Sequence, residues 1–232
     1  MNNLLITGAN GGIGSLICSL FKKNNWNIIA TDIQDKCTHN NFNNYFKADL
    51  CKNSDIKNLL KNLNKIDCLI HCAAYQLCKP IWEYSEEEWD KTYNCNVKSI
   101  FLLVKYGIKI LKKSKTHIIN IGSIHANATS INISAYASSK AALNGLTKNL
   151  AIDLAQFGIR VNSISPGAIN TKMLTDHITK EKLNFLTNKH LLKHIGTPMQ
   201  VAKTCLFIQN NTFFNGNNII LDGGILAQLS SE

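Results

Sequence analysis

Leu4-Leu5-Ile6-Thr7-Gly8-Ala9-Asn10-Gly11-Gly12-Ile13-Gly14 is the stretch on which the reading of this chain turns. It opens as an apolar run of strand type, Asn3–Thr7, passes through Gly8, Asn10, Gly11, Gly12, Ile13 and Gly14, and continues as an apolar-periodic helix from Gly12. Glycines permit a sharp turn and let the backbone approach a pyrophosphate closely. The helix N-terminus behind them presents free N–H groups to the negative charge. A Gly-rich stretch alone is a weak signal. This one follows a strand, opens a helix, and has an acidic residue, Asp32, 24 positions after Gly8.

Asp32 ends a second strand-like run, with Ile33 beside it. A carboxylate there accepts hydrogen bonds from the adenosine ribose hydroxyls and repels the 2′-phosphate of NADP. No Lys or Arg lies in the turn, and the nearest after Asp32 is Lys36, so the expected cofactor is NAD. Asp49, after a third strand, is a candidate partner for the adenine edge, with Leu50 packing nearby.

Outward from this turn, apolar runs alternate with helical patterns, which predicts a parallel sheet covered by helices on both faces. Strands are expected at Asn3–Thr7, Asn27–Asp32, Tyr45–Ala48, Asp67–His71, Thr116–Gly122, Ile159–Ser165 and Asn218–Leu221, with helices starting near Gly12, Ser54, Ser85, Val97, Ser134 and Pro198. Ser85 with Glu88, and Thr197 with Pro198 and Gln200, have the spacing of capping boxes. The helix from Val97 carries two apolar stripes: Val97, Phe101, Val104, Ile108, Leu111, and Ile100, Leu103, Gly107, Ile110. One stripe can pack on the sheet; the other predicts a subunit contact.

The formal charge is +10, but Arg160 is the only arginine and the lysines are scattered, which argues a solvated basic surface rather than a nucleic-acid binder. No signal-peptide pattern and no membrane-spanning apolar run is visible, so the eight cysteines read as reduced thiols of a cytoplasmic protein. Cys68, His71 and Cys72 invite a metal reading. No C-x-x-C pair occurs, however, and alternate side chains of a strand point apart, so no metal site is expected.

Tyr136 and Lys140 stand four apart in a predicted helix, on one face. A free phenol titrates near ~10 and is a poor base at neutral pH. A nearby ammonium, like the positive nicotinamide of NAD+, favours the phenolate, so the pair can transfer a proton near neutrality. Ser123, ending a strand 13 residues earlier, is placed to hydrogen-bond a substrate oxygen.

With these residues in view, the chain resembles a short-chain dehydrogenase/reductase over nearly its whole length. The resemblance is carried by Thr7–Gly14, Asn96 before Val97, Ile121-Gly122-Ser123, Tyr136-Ala137-Ser138-Ser139-Lys140, Val161-Asn162, Pro166-Gly167 and Leu221-Asp222-Gly223-Gly224. It implies one NAD-binding oxidoreductase domain over residues 1–232, α/β, with a Rossmann-type doubly wound parallel seven-stranded sheet. It also implies hydride exchange between the nicotinamide and a carbonyl or secondary alcohol, such as a sugar, polyol, hydroxy acid or steroid. In that pattern Tyr136 is the general acid/base and Ser123 orients the carbonyl. Lys140 holds the nicotinamide ribose and lowers the tyrosine's pKa. Asn96, at a helix irregularity, holds a water linking Lys140 to solvent. Pro166, Gly167 and Thr171 flank the nicotinamide end, with Ile169 nearby. A homodimer or homotetramer would use the helices from Val97 and Ser134.

One departure is clear. The family usually has Asn-Asn-Ala-Gly after the fourth strand, whereas this chain has His71-Cys72-Ala73-Ala74, with a methyl at Ala74 where glycine lets the cofactor approach. His71 keeps the capacity to donate a sheet-stabilising hydrogen bond. His125, two residues after Ser123, is either a substrate contact or a surface-loop histidine. Substrate identity is expected to lie in Tyr75–Trp82, Ile124–Ile133 and Ala168–Ile195. The last is a candidate lid or a solvated helical flap, and Lys172, Lys180, Lys182, Lys189 and Lys193 in it would favour an anion. A 3-oxoacyl-thioester reductase and a non-catalytic NAD-sensing regulator are the alternatives. The complete set of Asn96, Ser123, Tyr136 and Lys140 speaks against the sensor.

Overall fold

In the computed structural model, which describes residues 1–176 and 178–228, seven parallel strands form one sheet. They are β1 (Asn3–Thr7), β2 (Asn27–Asp32), β3 (Asn44–Lys47), β4 (Cys68–His71), β5 (His117–Ile121), β6 (Arg160–Pro166) and β7 (Asn218–Leu221), in the order β3-β2-β1-β4-β5-β6-β7. This is the doubly wound order. The chain reverses direction across the sheet between β3 and β4, which opens a crevice at the carboxyl ends of β1 and β4. Thr7 pairs with both Thr31 and His71 there, so the Gly-rich turn leaves the sheet at that crevice.

Alternation along each strand explains the two layers. Leu5, Ile29, Leu69, Ile118 and Val161 face one apolar cluster, and Leu4, Ile6, Ile28, Ile70, Ile119 and Ile164 face the other. The first cluster is closed by α2 (Asn53–Lys61), α4 (Ser99–Ser114) and α5 (Ser134–Ala155), the second by α1 (Gly12–Lys23) and α8 (Pro198–Asn210). Strands buried on both faces need apolar residues throughout, which is why they read as continuous runs.

Both capping boxes form: Ser85 starts α3 (Glu86–Tyr93), and Thr197 starts α8 with Pro198 in its first turn. The helix expected from Val97 begins instead with a π-helical turn, Asn94–Lys98, and becomes α-helical at Ser99. Both stripes are largely covered within this one chain: Val104 and Leu111 of the first and Ile100 and Leu103 of the second are buried. On the second stripe the neighbour is α2, whose Leu60 packs against Gly107. On the first, Phe101 stands out, 44% exposed. Two short helices, α6 (Lys172–Thr175) and α7 (Lys180–Lys189), occupy Ala168–Ile195, the segment read as a lid or a helical flap; His177 of that range lies outside the described residues. Among the described residues no helix is long and apolar enough to cross a membrane.

Candidate active site

The turn after β1 is held by close backbone contacts. Gly8 has φ +65°, and a Cβ there would lie 2.8 Å from the Ala73 backbone, so only glycine fits. The Thr7 hydroxyl accepts from both the Cys72 and Ala73 N–H groups at 3.1 Å, which seats the β4 exit against the turn. Ala74 is not among the positive-φ residues, so an alanine takes that backbone conformation without strain. Across the crevice, a Cβ on Gly12 would come within 2.9 Å of the Thr171 methyl, so Gly12 lets the segment that starts α6 close onto the first turn of α1. Pro166 ends β6, and Gly167 donates to the Leu221 carbonyl. Ile169 is buried and bridges to Gly196.

At the adenosine end, Asp32 accepts from the Asn10 N–H at 3.0 Å and from the Gln34 N–H at 3.3 Å. Each carboxylate oxygen keeps acceptor capacity for a ribose hydroxyl. The Asn10 side chain, expected at the cofactor, is spent on the loop after β2. It donates to the Gln34 side chain and the Lys36 carbonyl, and accepts from Thr38 N–H. Ile33 is largely exposed beside Asp32. Asp49 accepts from Cys51 N–H, and Leu50 is buried.

Ser123, Tyr136 and Lys140 come together past the carboxyl end of β5. Ser123 and Tyr136 are buried, and Lys140 is 1% exposed. Burial pushes the Tyr136 phenol up to about 12, and the neighbouring Ser123 hydroxyl pulls in the opposite direction. Lys140 is pushed down to about 8 by burial. The ammonium donates to the Ile121 carbonyl at 2.8 Å and lies 5.5 Å from the Tyr136 ring centroid. It is anchored to the last residue of β5, beside the tyrosine.

Asn96 sits fully buried in the π-helical turn. Its side chain accepts from Tyr75 N–H at 2.8 Å and donates to Tyr75 O and the Ser139 hydroxyl. It therefore fixes the segment after β4 to α5 through side-chain bonds that sequence reasoning did not anticipate. His71 donates through Nε2 to Ser99 Oγ at 2.7 Å, because that hydroxyl gives its own proton to the Cys95 carbonyl. The bond ties β4 to α4 rather than to a neighbouring strand. Cys68 lies in the core and His71 faces Ser99, so the two do not share a metal geometry; among the described residues no group of three or more His, Cys, Asp or Glu is placed to hold an ion.

A sequence model described as enoyl-(acyl carrier protein) reductase matches residues 8–226. This chain belongs to the short-chain dehydrogenase/reductase family. Cyclopentanol dehydrogenase of Comamonas sp. is 29% identical over 97% of this chain and 96% of its own. The structure of 4-hydroxyisoleucine dehydrogenase complexed with NADH superposes with a TM-score of 0.91 at 28% identity, covering 99% of this chain and 100% of that one. ElxO with NADP bound superposes with a TM-score of 0.87 at 27% identity over 98% and 99%. Short-chain dehydrogenase/reductases are oxidoreductases, and these two neighbours carry different dinucleotides.

Proposed function

We propose that this chain is an NAD-dependent oxidoreductase that interconverts a secondary alcohol and its carbonyl, with Tyr136 as the acid/base. One observation carries the proposal: the Ser123 hydroxyl, the Tyr136 phenol and the Lys140 ammonium converge at the carboxyl end of β5, on the same sheet edge as the Gly-rich turn. The residues present fit a dinucleotide, since the turn allows no Cβ at Gly8 and Asp32 keeps free acceptor capacity. Asp32, with no arginine near it, favours NAD over NADP, and the NADH-bound neighbour is consistent with that choice.

Hydride transfer is the chemistry the nicotinamide supplies when bound. In reduction, Tyr136 gives its proton to the carbonyl oxygen while the Ser123 hydroxyl donates to the same oxygen and polarises it. In oxidation the proton returns to Tyr136. A phenol held high by burial is a proton donor at neutral pH, which suits the reductive direction. Asn96 keeps the π-helical turn and α5 in register beneath these groups. A homodimer or homotetramer through α4 and α5 accompanies this reading, with Phe101 on α4 and Ile152 on α5 as apolar side chains left outside the chain's own core. The reductase name of the matching family model supports a second reading, an acyl-thioester reductase.

Both are separated by one screen of NADH and NADPH absorbance: NAD+ and NADP+ are supplied in parallel to secondary alcohols, and NADH and NADPH to their ketones and an acyl thioester. Turnover of an alcohol with NAD+ or of a ketone with NADH is expected, and Tyr136→Phe should reduce it by at least ~10² while NADH still binds. Near-normal turnover in that variant would remove Tyr136 from the mechanism. Binding of NADH with no turnover of any compound would favour the sensing regulator.

A further inference from the structure

His125 is a polar residue of the site that the proton relay does not use. It lies in a single 3₁₀ turn, Ile124–Ala126, directly after Ser123. Its own N–H donates to Ser123 Oγ at 3.2 Å, which occupies a lone pair of that hydroxyl. Its ring stands edge-on to the Tyr136 ring, with centroids 6.2 Å apart and planes at 73°. The imidazole thus shares one wall with both groups that would hold the reacting oxygen.

The ring nitrogens have different surroundings. Nδ1 is buried and has no hydrogen-bond partner among the described residues. A buried N–H without an acceptor costs more than a buried lone pair, because the donor forfeits a strong bond to water. The proton therefore belongs on Nε2, and the ring offers one neutral N–H donor. Burial lowers the histidine's pKa, which keeps it in that form at neutral pH.

We propose that His125 is a specificity residue that donates through Nε2–H to a second oxygen of the substrate, a hydroxyl or carbonyl on the carbon next to the reacting one. The inference rests on the oxidoreductase reading above and deepens it. It assigns the site to vicinally oxygenated substrates, such as diols and hydroxy ketones, over simple secondary alcohols. A neutral donor recognises an oxygen acceptor without demanding an anion, which separates this site from one built on a cation.

Matched pairs test it: cyclopentane-1,2-diol against cyclopentanol, and butane-2,3-diol against butan-2-ol, each with NAD and the full chain. The diol:monoalcohol ratio of kcat/KM should exceed one in the wild type, fall at least tenfold in His125→Phe, and recover in part in His125→Gln, which restores an N–H at similar reach. His125→Phe keeps an aromatic ring against Tyr136, and an unchanged NADH dissociation constant shows that the site still folds. A ratio unaltered by His125→Phe, or a glutamine variant no better than phenylalanine, overturns the inference. If NADH binds but nothing is oxidised, the oxidoreductase reading fails instead. Calorimetric binding of the diol to the NAD+-loaded protein then decides the role of His125: weaker binding in His125→Phe supports it, and equal or absent binding overturns it.

Discussion

Asp32 and Asn10 show how much two residues can decide at a cofactor site. The carboxylate is visible in the sequence because it ends an apolar run at a set distance from the Gly-rich turn. The role of the Asn10 side chain was not legible. Its partners, Gln34, Lys36 and Thr38, lie 24 to 28 residues away in a loop with no periodic pattern. On the NAD-dependent reading proposed above, they leave little for a 2′-phosphate. The Asn10 and Gln34 N–H groups are committed to Asp32, and the Asn10 amide is committed to the loop. Asp32→Ala removes the repelling charge and releases those two N–H donors. The ratio of kcat/KM for NADH over NADPH is then expected to fall by at least about tenfold, worth roughly 1.4 kcal/mol. Kinetics with both reduced cofactors check this; a ratio equal to wild type would place the discrimination elsewhere.

Among the elements, those built from strong local rules were legible and those built from tertiary contact were not. All seven strands lie where apolar runs end at turn residues, with bounds that differ by a residue or so. Helix α8 begins where Thr197, Pro198 and Gln200 require it, and both halves of its capping box are made. The π-helical turn at Asn94–Lys98 leaves no periodic trace, because one extra residue in a helix is invisible against 3.6-residue spacing. Nor do two apolar stripes on α4 reveal that the second is covered by α2 of the same chain. The α6–α7 segment is polar and mostly exposed, so only a weak pattern marked it; Lys189 there lies over its own Phe185 ring, and Lys193 donates to the Asn188 carbonyl. The cap on α8 can be tested directly. Thr197→Ala removes the acceptor for the Gln200 N–H and should cost about 1 kcal/mol. Thermal unfolding should show a Tm lower by a few degrees, and cofactor affinity should stay as in wild type, because the cap holds no dinucleotide contact. An unshifted Tm would mean that α8 is held by its packing on α1 alone.

For the molecule as a whole, the dependence of stability on pH is set by histidines that the fold buries uncharged. His71 and His117 are each pushed down to about 3 by burial, with Lys140 adding to the effect at His71 and Arg160 at His117. His117 is locked as a neutral tautomer, donating to Gln209 and accepting from Asn162. Among the described residues the His71 ring has one partner, Ser99, and a buried Nδ1 with none. Both folded values lie below that of an unfolded histidine, about 6.5. Above that pH neither state is protonated, and these groups leave stability unchanged. As pH falls below it, the unfolded chain takes up protons that the native fold refuses, so stability is lost progressively until the folded values are reached. Other groups act in other windows. Lys140, lowered to about 8, makes its change between that value and the alkaline range of a free lysine. The lowered carboxyls of Asp55, Glu87, Glu88 and Glu181 act at and below the ordinary carboxylate range. The interval from pH 6.5 to 5 therefore reports the histidines, with one lost contribution per site of roughly 2 kcal/mol at pH 5. His71→Asn places a side chain there that cannot titrate. Urea unfolding of wild type should weaken markedly across that interval, and the variant should lose less by about that amount, even if it is the less stable protein at pH 7.5. Parallel losses in the two proteins would show that His71 takes up its proton without leaving the native fold, and that its Nδ1 finds an acceptor when charged.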